Sequence, residues 1–434
     1  MIAARKKPLV PVTSKRLDER RFEGVLSCGM KLVFAPRKGF KKKLAFVVAG
    51  YGSVDRAWEA GGKRFEVPDG IAHFLEHQLF KKAHGDLSDQ FSQRGAYVNA
   101  QTSHTQTAFY FECVEQFEAN LGTLMELALT PHFDKKLVDV ERDIIIQEIN
   151  QYRDQPGWVS FQQLLEALYV NHPLRVDIAG TQATVEKITA ELLGLCHGTF
   201  YHPSNLTLII TADMTPAEVF NIAERQSAKF APETPARNIK HKRYSEPDAP
   251  TRRRAERRMF VQRPRLLIGF KDTEGASGRD LLRREMETSL ALDALFSRES
   301  EAYERLYRDG LIASDFGAAF QAETGYGYCV IGGETRDADA LEEALVDALA
   351  QARDKGIDAD TIERKRRKFL GRYLRNFNDP ESTAYSYLGA LGQRCDLFDF
   401  PEVLDAVTPQ RVNARIAEFF SPSRCASSVL LPPK

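Results

Sequence analysis

A chain of 434 residues is too long for one ordinary domain and suits two or three, and its 43% hydrophobic and 10% aromatic content is enough for sizeable cores. Its 60 basic and 60 acidic residues balance, which gives no overall pull toward nucleic acid or an anionic membrane, and no apolar run approaches the roughly 20 residues needed to cross a bilayer. The six cysteines, Cys28, Cys113, Cys196, Cys329, Cys395 and Cys425, form no CxxC pair and fit scattered thiols in a reducing cytoplasm.

The basic N-terminus "MIAARKKPLVPVTSKR" lacks the apolar stretch of a secretory signal. Met30–Arg37 and Lys43–Ser53 read as strands, rich in β-branched and aromatic residues and closed by turn residues. "EVPDGIAHFLEHQLFKK" then switches to helical spacing, with Asp69 a candidate N-cap. Gly95–Val114 alternates polar and apolar residues as two strands do. "FEANLGTLMELAL" and "DKKLVDVERDIIIQEINQYRDQ" are helical; Leu206–Met214 is a strand, and "TPAEVFNIAERQ" begins another helix. His172 and His202 stand in "HPLRVDIAGT" and "FYHPSN", which read as structural loops. Around 230–259 the sequence becomes proline-rich and charged, an exposed linker whose "TRRRAERR" run is a solvated connector.

After the linker the pattern starts again. "LLIGFKD" matches the earlier "LAFVVAG", Leu295-Phe296 match Leu79-Phe80, and Leu341 matches Leu121. The match of Leu79 to Leu295 puts Ser289 at His73, Leu292 at Glu76 and Asp293 at His77, and laying Glu363-Arg364 on Glu141-Arg142 puts Leu370 at Glu148. The fold class expected is α+β, with two homologous halves, each a sheet covered by helices. The domains expected are 1–230, a linker over 231–258, and 259–434. A framework requirement should appear in both copies, so the polar set present only in the first points to function.

That set is centred on "HFLEH". At about 100° per residue His73 and His77 lie about 40° apart around a helix and one turn along it, so both imidazoles can reach one metal ion. Glu76 sits to the other side of His73. This is HExxH in mirrored order. Catalytic zinc takes three protein ligands and leaves a fourth position for water. The helix "VERDIIIQEINQY" offers Glu141 and Glu148 on one face while Ile144, Ile145 and Ile149 can face the core. Spacing alone does not choose between the two glutamates. "YVNAQTSHTQT" reads as a strand with small and polar residues, suited to accept an extended peptide at an open edge, with His104 an exposed strand residue.

With "DGIAHFLEH", "FSQRGAYVNAQTSHTQTAFYF", "QEINQYRDQPGW" and "FYHPSN", nearly the whole chain resembles the M16 metallopeptidases, the family of pitrilysin, insulin-degrading enzyme and mitochondrial processing peptidase. Within it the chain looks like the bacterial YfmH-like branch, whose members are associated with elongation factor P modification, a link no residue here explains. The resemblance implies mostly antiparallel sheets in two halves that close like a clam shell. It implies one zinc ion (Zn2+) held by His73, His77 and Glu148, with Glu76 as general base and Glu141 behind the ligands. Asn99 and Ala100 would line the substrate edge, and Arg298 and Tyr303 in "FSRESEAYERLY" would bind substrate carbonyls or the oxyanion. The activity implied is hydrolysis of unfolded peptides by a cytoplasmic zinc endopeptidase. Its partner would be a second copy or a homologous M16-type subunit, with no role for nucleic acid or membrane. The alternative is a peptide-binding assembly subunit that does not cleave.

Overall fold

A computed structural model of the chain describes residues 9–230, 238–273 and 275–434. The first eight residues of the basic N-terminus and 231–237 of the expected linker lie outside the described residues. The first half of the sequence runs β1 (Val10–Ser14), β2 (Glu19–Val25), β3 (Lys31–Pro36), β4 (Lys43–Ala49), β5 (Ala57–Ala60), β6 (Lys63–Glu66), α1 (Ile71–Leu79), β7 (Lys81–Lys82), β8 (Gly85–Asp86), α2 (Leu87–Gln93), β9 (Tyr97–Thr102), β10 (Thr107–Cys113), α3 (Phe117–Leu129), α4 (Lys135–Arg153), α5 (Pro156–Leu168), α6 (Gln182–Val185), α7 (Ala190–Phe200), β11 (Leu206–Ala212) and α8 (Pro216–Ser227). The second runs β12 (Ile239–His241), β13 (Arg254–Arg258), β14 (Arg265–Asp272), α9 (Gly278–Phe296), α10 (Glu301–Arg308), β15 (Gly317–Glu323), β16 (Tyr326–Glu334), α11 (Ala338–Lys355), α12 (Ala359–Arg375), α13 (Pro380–Gln393), α14 (Phe400–Ala406), α15 (Pro409–Phe419) and β17 (Cys425–Leu431).

The internal repeat is written in the sheets. The seven-stranded sheet has the order β1-β2-β3-β11-β4-β10-β9, and the five-stranded sheet has β13-β17-β14-β16-β15. From β3 and β13 onward each position corresponds, including the parallel pairs β3–β11 and β13–β17 among otherwise antiparallel neighbours. β4 and β11 are buried almost throughout, as central strands covered on both faces must be. β9 alternates exposed and half-buried residues, as an edge strand does.

The two compact units are discontinuous in sequence. The first comprises the described residues of Met1–Ile149, Asp177–Lys242 and Leu374–Gly389; the second comprises Asn150–Val176, Arg243–Tyr373 and Ala390–Lys434. Each unit thus takes a helix from the other half of the sequence. In the first, Ala45, Val47, Phe109 and Phe111 face one core while Phe46 and Tyr110 point the other way and meet Tyr385 of α13. Arg37 Nε donates to Thr383 Oγ1 at 2.9 Å, Gln106 Nε2 to the Leu388 carbonyl at 3.1 Å and Thr211 Oγ1 to the Pro380 carbonyl at 3.0 Å. In the second, Leu164 and Leu168 of α5 cover the face of β14 that bears Leu267, where a Cβ on Gly269 would lie 2.9 Å from Leu164 Cδ2. Tyr169 donates its hydroxyl to the Gly327 carbonyl at 2.7 Å.

Several expectations need correction. The linker is not featureless: Ile239–His241 pairs with β5, and Arg254–Arg258 forms an edge strand on β17. Ala255 supplies the one buried side chain of that strand, and Arg254 is held by Asp339 and Glu342, so few apolar residues sufficed. Asp69 does not cap α1; Gly70 does, at φ 92°, and Asp69 pairs with Arg56 at 2.9 Å. Ile144 is exposed, and only Ile145 and Ile149 of the three isoleucines are buried. The repeat register on α12 also shifts by two residues. Asp134 accepts the first-turn N–H groups of α4 as Asp358 does for α12, and buried Val138 and Ile149 correspond to buried Ile362 and Tyr373. Glu141 therefore corresponds to Lys365 and Glu148 to Arg372, not to Glu363 and Leu370.

Because α13 covers Phe46 and Tyr110, a fragment 1–258 expressed alone should aggregate, and co-expression of 259–434 should restore a soluble species on size-exclusion chromatography. A stable monomer of 1–258 would show that the exchanged helix is dispensable.

Candidate metal centre

The entry to α1 is fixed by backbone contact. A Cβ on Gly70 would lie 2.4 Å from the Ala179 carbonyl oxygen, and one on Gly180 would lie 2.6 Å from the Asp69 oxygen. Both glycines have positive φ, so no other residue fits there without strain. The buried face of α1 is Ile71, Phe74, Leu75 and Leu79, which leaves His73 and His77 on the side toward α4.

His73 Nε2 lies 3.7 Å and His77 Nε2 3.5 Å from the same oxygen, Glu148 Oε2. One donor atom from each of the three lies within 4.8 Å of the others, the one such cluster among the described residues. Glu148 Oε2 is buried and accepts no hydrogen bond there. A buried carboxylate oxygen without a donor calls for a cation. Two imidazoles and a carboxylate are a donor set that suits zinc. The residues present therefore fit the ion.

Glu141 stands behind His77. It is 4% exposed, and His77 Nδ1–H donates to its Oε1 at 2.9 Å, which in the neutral imidazole leaves the Nε2 lone pair facing Glu148. Lys81 Nζ, itself 2.7 Å from Asp86, lies 3.8 Å from Glu141 Oε2 and offsets its charge. Burial, with the His77 charge, pushes the His73 imidazole down to about 3, so it is neutral and able to ligate. Burial also pulls His77 down, but the Glu141 hydrogen bond and the surrounding carboxylates outweigh it and raise His77.

Glu76 is 8% exposed, and Thr102 Oγ1 donates to its Oε2. Burial raises its carboxyl above the ordinary value, opposed by the Thr102 hydrogen bond and by His77. Thr102 ends β9, and sequence reasoning passed over it. Among the described residues β9 pairs with β10 alone, so its outer edge is open. Asn99 and Ala100 lie on this edge strand opposite Tyr110 and Phe109. His104 is not an exposed strand residue; it is buried in the β9–β10 turn with Nδ1 3.0 Å from Ser53 Oγ. His172 and His202 accept the Leu174 and Ser204 N–H groups and serve as caps.

Arg298 and Tyr303 belong to the second unit. Arg298 is exposed, and the Tyr303 ring meets Phe316 at 5.9 Å. That unit holds a charge-inverted counterpart of the metal centre. Asp293 stands where His77 does, and Lys365 and Arg372 stand where Glu141 and Glu148 do. Lys365 Nζ lies 3.0 Å, Lys368 Nζ 2.9 Å and Arg372 Nη1 3.7 Å from Asp293 oxygens. Hydrogen bonds from Lys365 and Lys368 hold Glu299 down to about 2. Lys365 is 5% exposed, so an ammonium occupies the interior here. In a double-mutant cycle of Lys365→Met and Asp293→Asn the two sites should couple by about 1–3 kcal/mol in denaturant unfolding, and additive effects would show that they do not act as a pair.

Comparison with known proteins identifies the family. Residues 58–182 match the family model Insulinase (Peptidase family M16), and residues 187–369 match Peptidase M16 inactive domain. The chain is 38% identical to YmfH of Bacillus subtilis (strain 168), named an uncharacterized zinc protease, over 97% of this chain and 99% of that one. The crystal structure of an M16-like peptidase from Alicyclobacillus acidocaldarius superposes with a TM-score of 0.91 at 34% identity, covering 99% of this chain and 100% of that one. A protease from Helicobacter pylori shares the fold at a TM-score of 0.82 and 18% identity, over 95% of this chain and 100% of that one. The chain belongs to the M16 peptidase family.

Proposed function

We propose that this chain is a zinc-dependent peptidase that hydrolyses unfolded peptides, with one zinc per chain. The observation that carries the reading is the convergence of His73, His77 and an undonated Glu148 oxygen beside a buried, anchored Glu76. Zinc in such a ligand set supplies an acidified water and a Lewis acid for the scissile carbonyl. The chain's own groups do the rest. Glu76 takes the proton of the attacking water and returns it to the leaving amine. Glu141 keeps His77 in the ligating tautomer through Nδ1. The open edge of β9 takes an extended peptide by strand addition, with Asn99 and Ala100 along it. Arg298 and Tyr303 are assigned to substrate on the family resemblance. A cytoplasmic setting agrees with six free cysteines, and pairing with a second copy or a homologous subunit is part of the same reading.

Metal analysis and a quenched library of unstructured peptides test the proposal. Wild type should hold about one zinc per chain, and His73→Ala should hold essentially none. Glu76→Gln should keep the metal and lose about 10²–10⁴-fold in kcat. Glu141→Gln should weaken zinc affinity about 10–100-fold against a competing chelator. Full activity in Glu76→Gln, or in protein stripped of metal, would refute the mechanism. Zinc binding with no cleavage of any peptide would favour a subunit that binds without cutting.

A further inference from the structure

We propose that Thr102 is a positioning residue for Glu76, fixing which carboxylate oxygen exchanges protons and joining the base to the edge strand on which substrate would lie. The inference rests on the peptidase reading above. An ionised carboxylate only accepts, so the bond between Thr102 Oγ1 and Glu76 Oε2 uses the threonine's proton. Thr107 Oγ1, 3.4 Å from Thr102 Oγ1, donates its own proton to the Tyr51 carbonyl at 2.9 Å, so it does not compete for the Thr102 proton's place on Glu76. Glu76 Oε1 accepts no hydrogen bond among the described residues. The two oxygens are therefore unequal: one is held, and one is left for water.

The anchor is itself rigid. Thr102 pairs with Thr107 at the closed end of the β9–β10 hairpin. The turn beyond is tied by Ser103 N–H to the Gln106 carbonyl at 2.8 Å and by Val54 N–H to the His104 carbonyl at 3.0 Å. Gly52 lies so close that a Cβ there would stand 2.4 Å from the His104 carbonyl carbon. Glu76 comes from a different element, α1, and its side chain has three rotatable bonds. Without the hydroxyl nothing among its hydrogen bonds would keep it from turning. Such preorganisation acts on the transition state rather than on substrate binding.

The test uses the full chain loaded with zinc and a quenched unstructured peptide. Thr102→Val should keep wild-type zinc content and thermal midpoint, leave KM within about twofold, and lower kcat on the order of ten- to a hundredfold. Thr102→Ser should recover most of kcat. Thr102→Ala, which removes a methyl as well, should match Thr102→Val in kcat and covers the case in which the valine variant folds poorly. A serine variant as impaired as valine, a loss carried by KM, or loss of zinc would overturn the proposal. Wild-type kcat in Thr102→Val alongside an inactive Glu76→Gln would overturn it while the peptidase reading stands. A wild-type chain that cleaves nothing would overturn both.

Discussion

A carboxylate set between two packed helices has to be neutralised, because the cost of leaving a charge unpaired away from water exceeds what one packing contact returns. This chain meets that requirement twice, on corresponding helix pairs of its two units and in opposite ways. Between α1 and α4 the acids are Glu141 and Glu148, and the facing helix offers His73 and His77. Between α9 and α12 the acid is Asp293, and the facing helix offers Lys365, Lys368 and Arg372. A lysine is a cation that cannot leave. In the second pair the cations belong to the chain itself, whereas in the first the buried Glu148 oxygen has no donor from the chain.

Much of this was legible in the sequence because it depends on periodicity. Histidines four apart and glutamates seven apart share helix faces whatever the tertiary structure, and alternation marked β9 and β10. The repeat was also readable, but its register on α12 was not, since a short insertion moves a helix by two residues without changing its pattern. The matching caps Asp134 and Asp358 and the buried positions settle it. Gly70 in place of Asp69 as cap follows from a close backbone approach to Ala179, a contact far away in sequence. The partners of α5 and α13 were out of reach too, because an apolar helix face does not say which sheet it will cover.

Thr102 shows a signal that could have been used. Val98 and Ala100 of β9 turn inward onto the core, and Thr102 is in the same register. A hydroxyl on the inward face of an otherwise apolar alternation needs a partner there. The strand so links two tasks. Its outer edge is open for main-chain pairing, and its last inward side chain holds Glu76.

The exchange of α5 and α13 makes each half of the sequence depend on the other. A single half would carry a sheet with a bare face and a helix with nothing of its own to cover. Trading that helix resolves both defects: α13 covers Phe46 and Tyr110 in the first unit, and α5 covers the Leu267 face of β14 in the second. The copies nevertheless differ in charge: His77 and Glu141 of the first stand where Asp293 and Lys365 of the second do. Inheritance and architecture therefore part company here: Thr383 and Tyr385 are coded in the second copy, yet they help build the unit that carries His73 and His77.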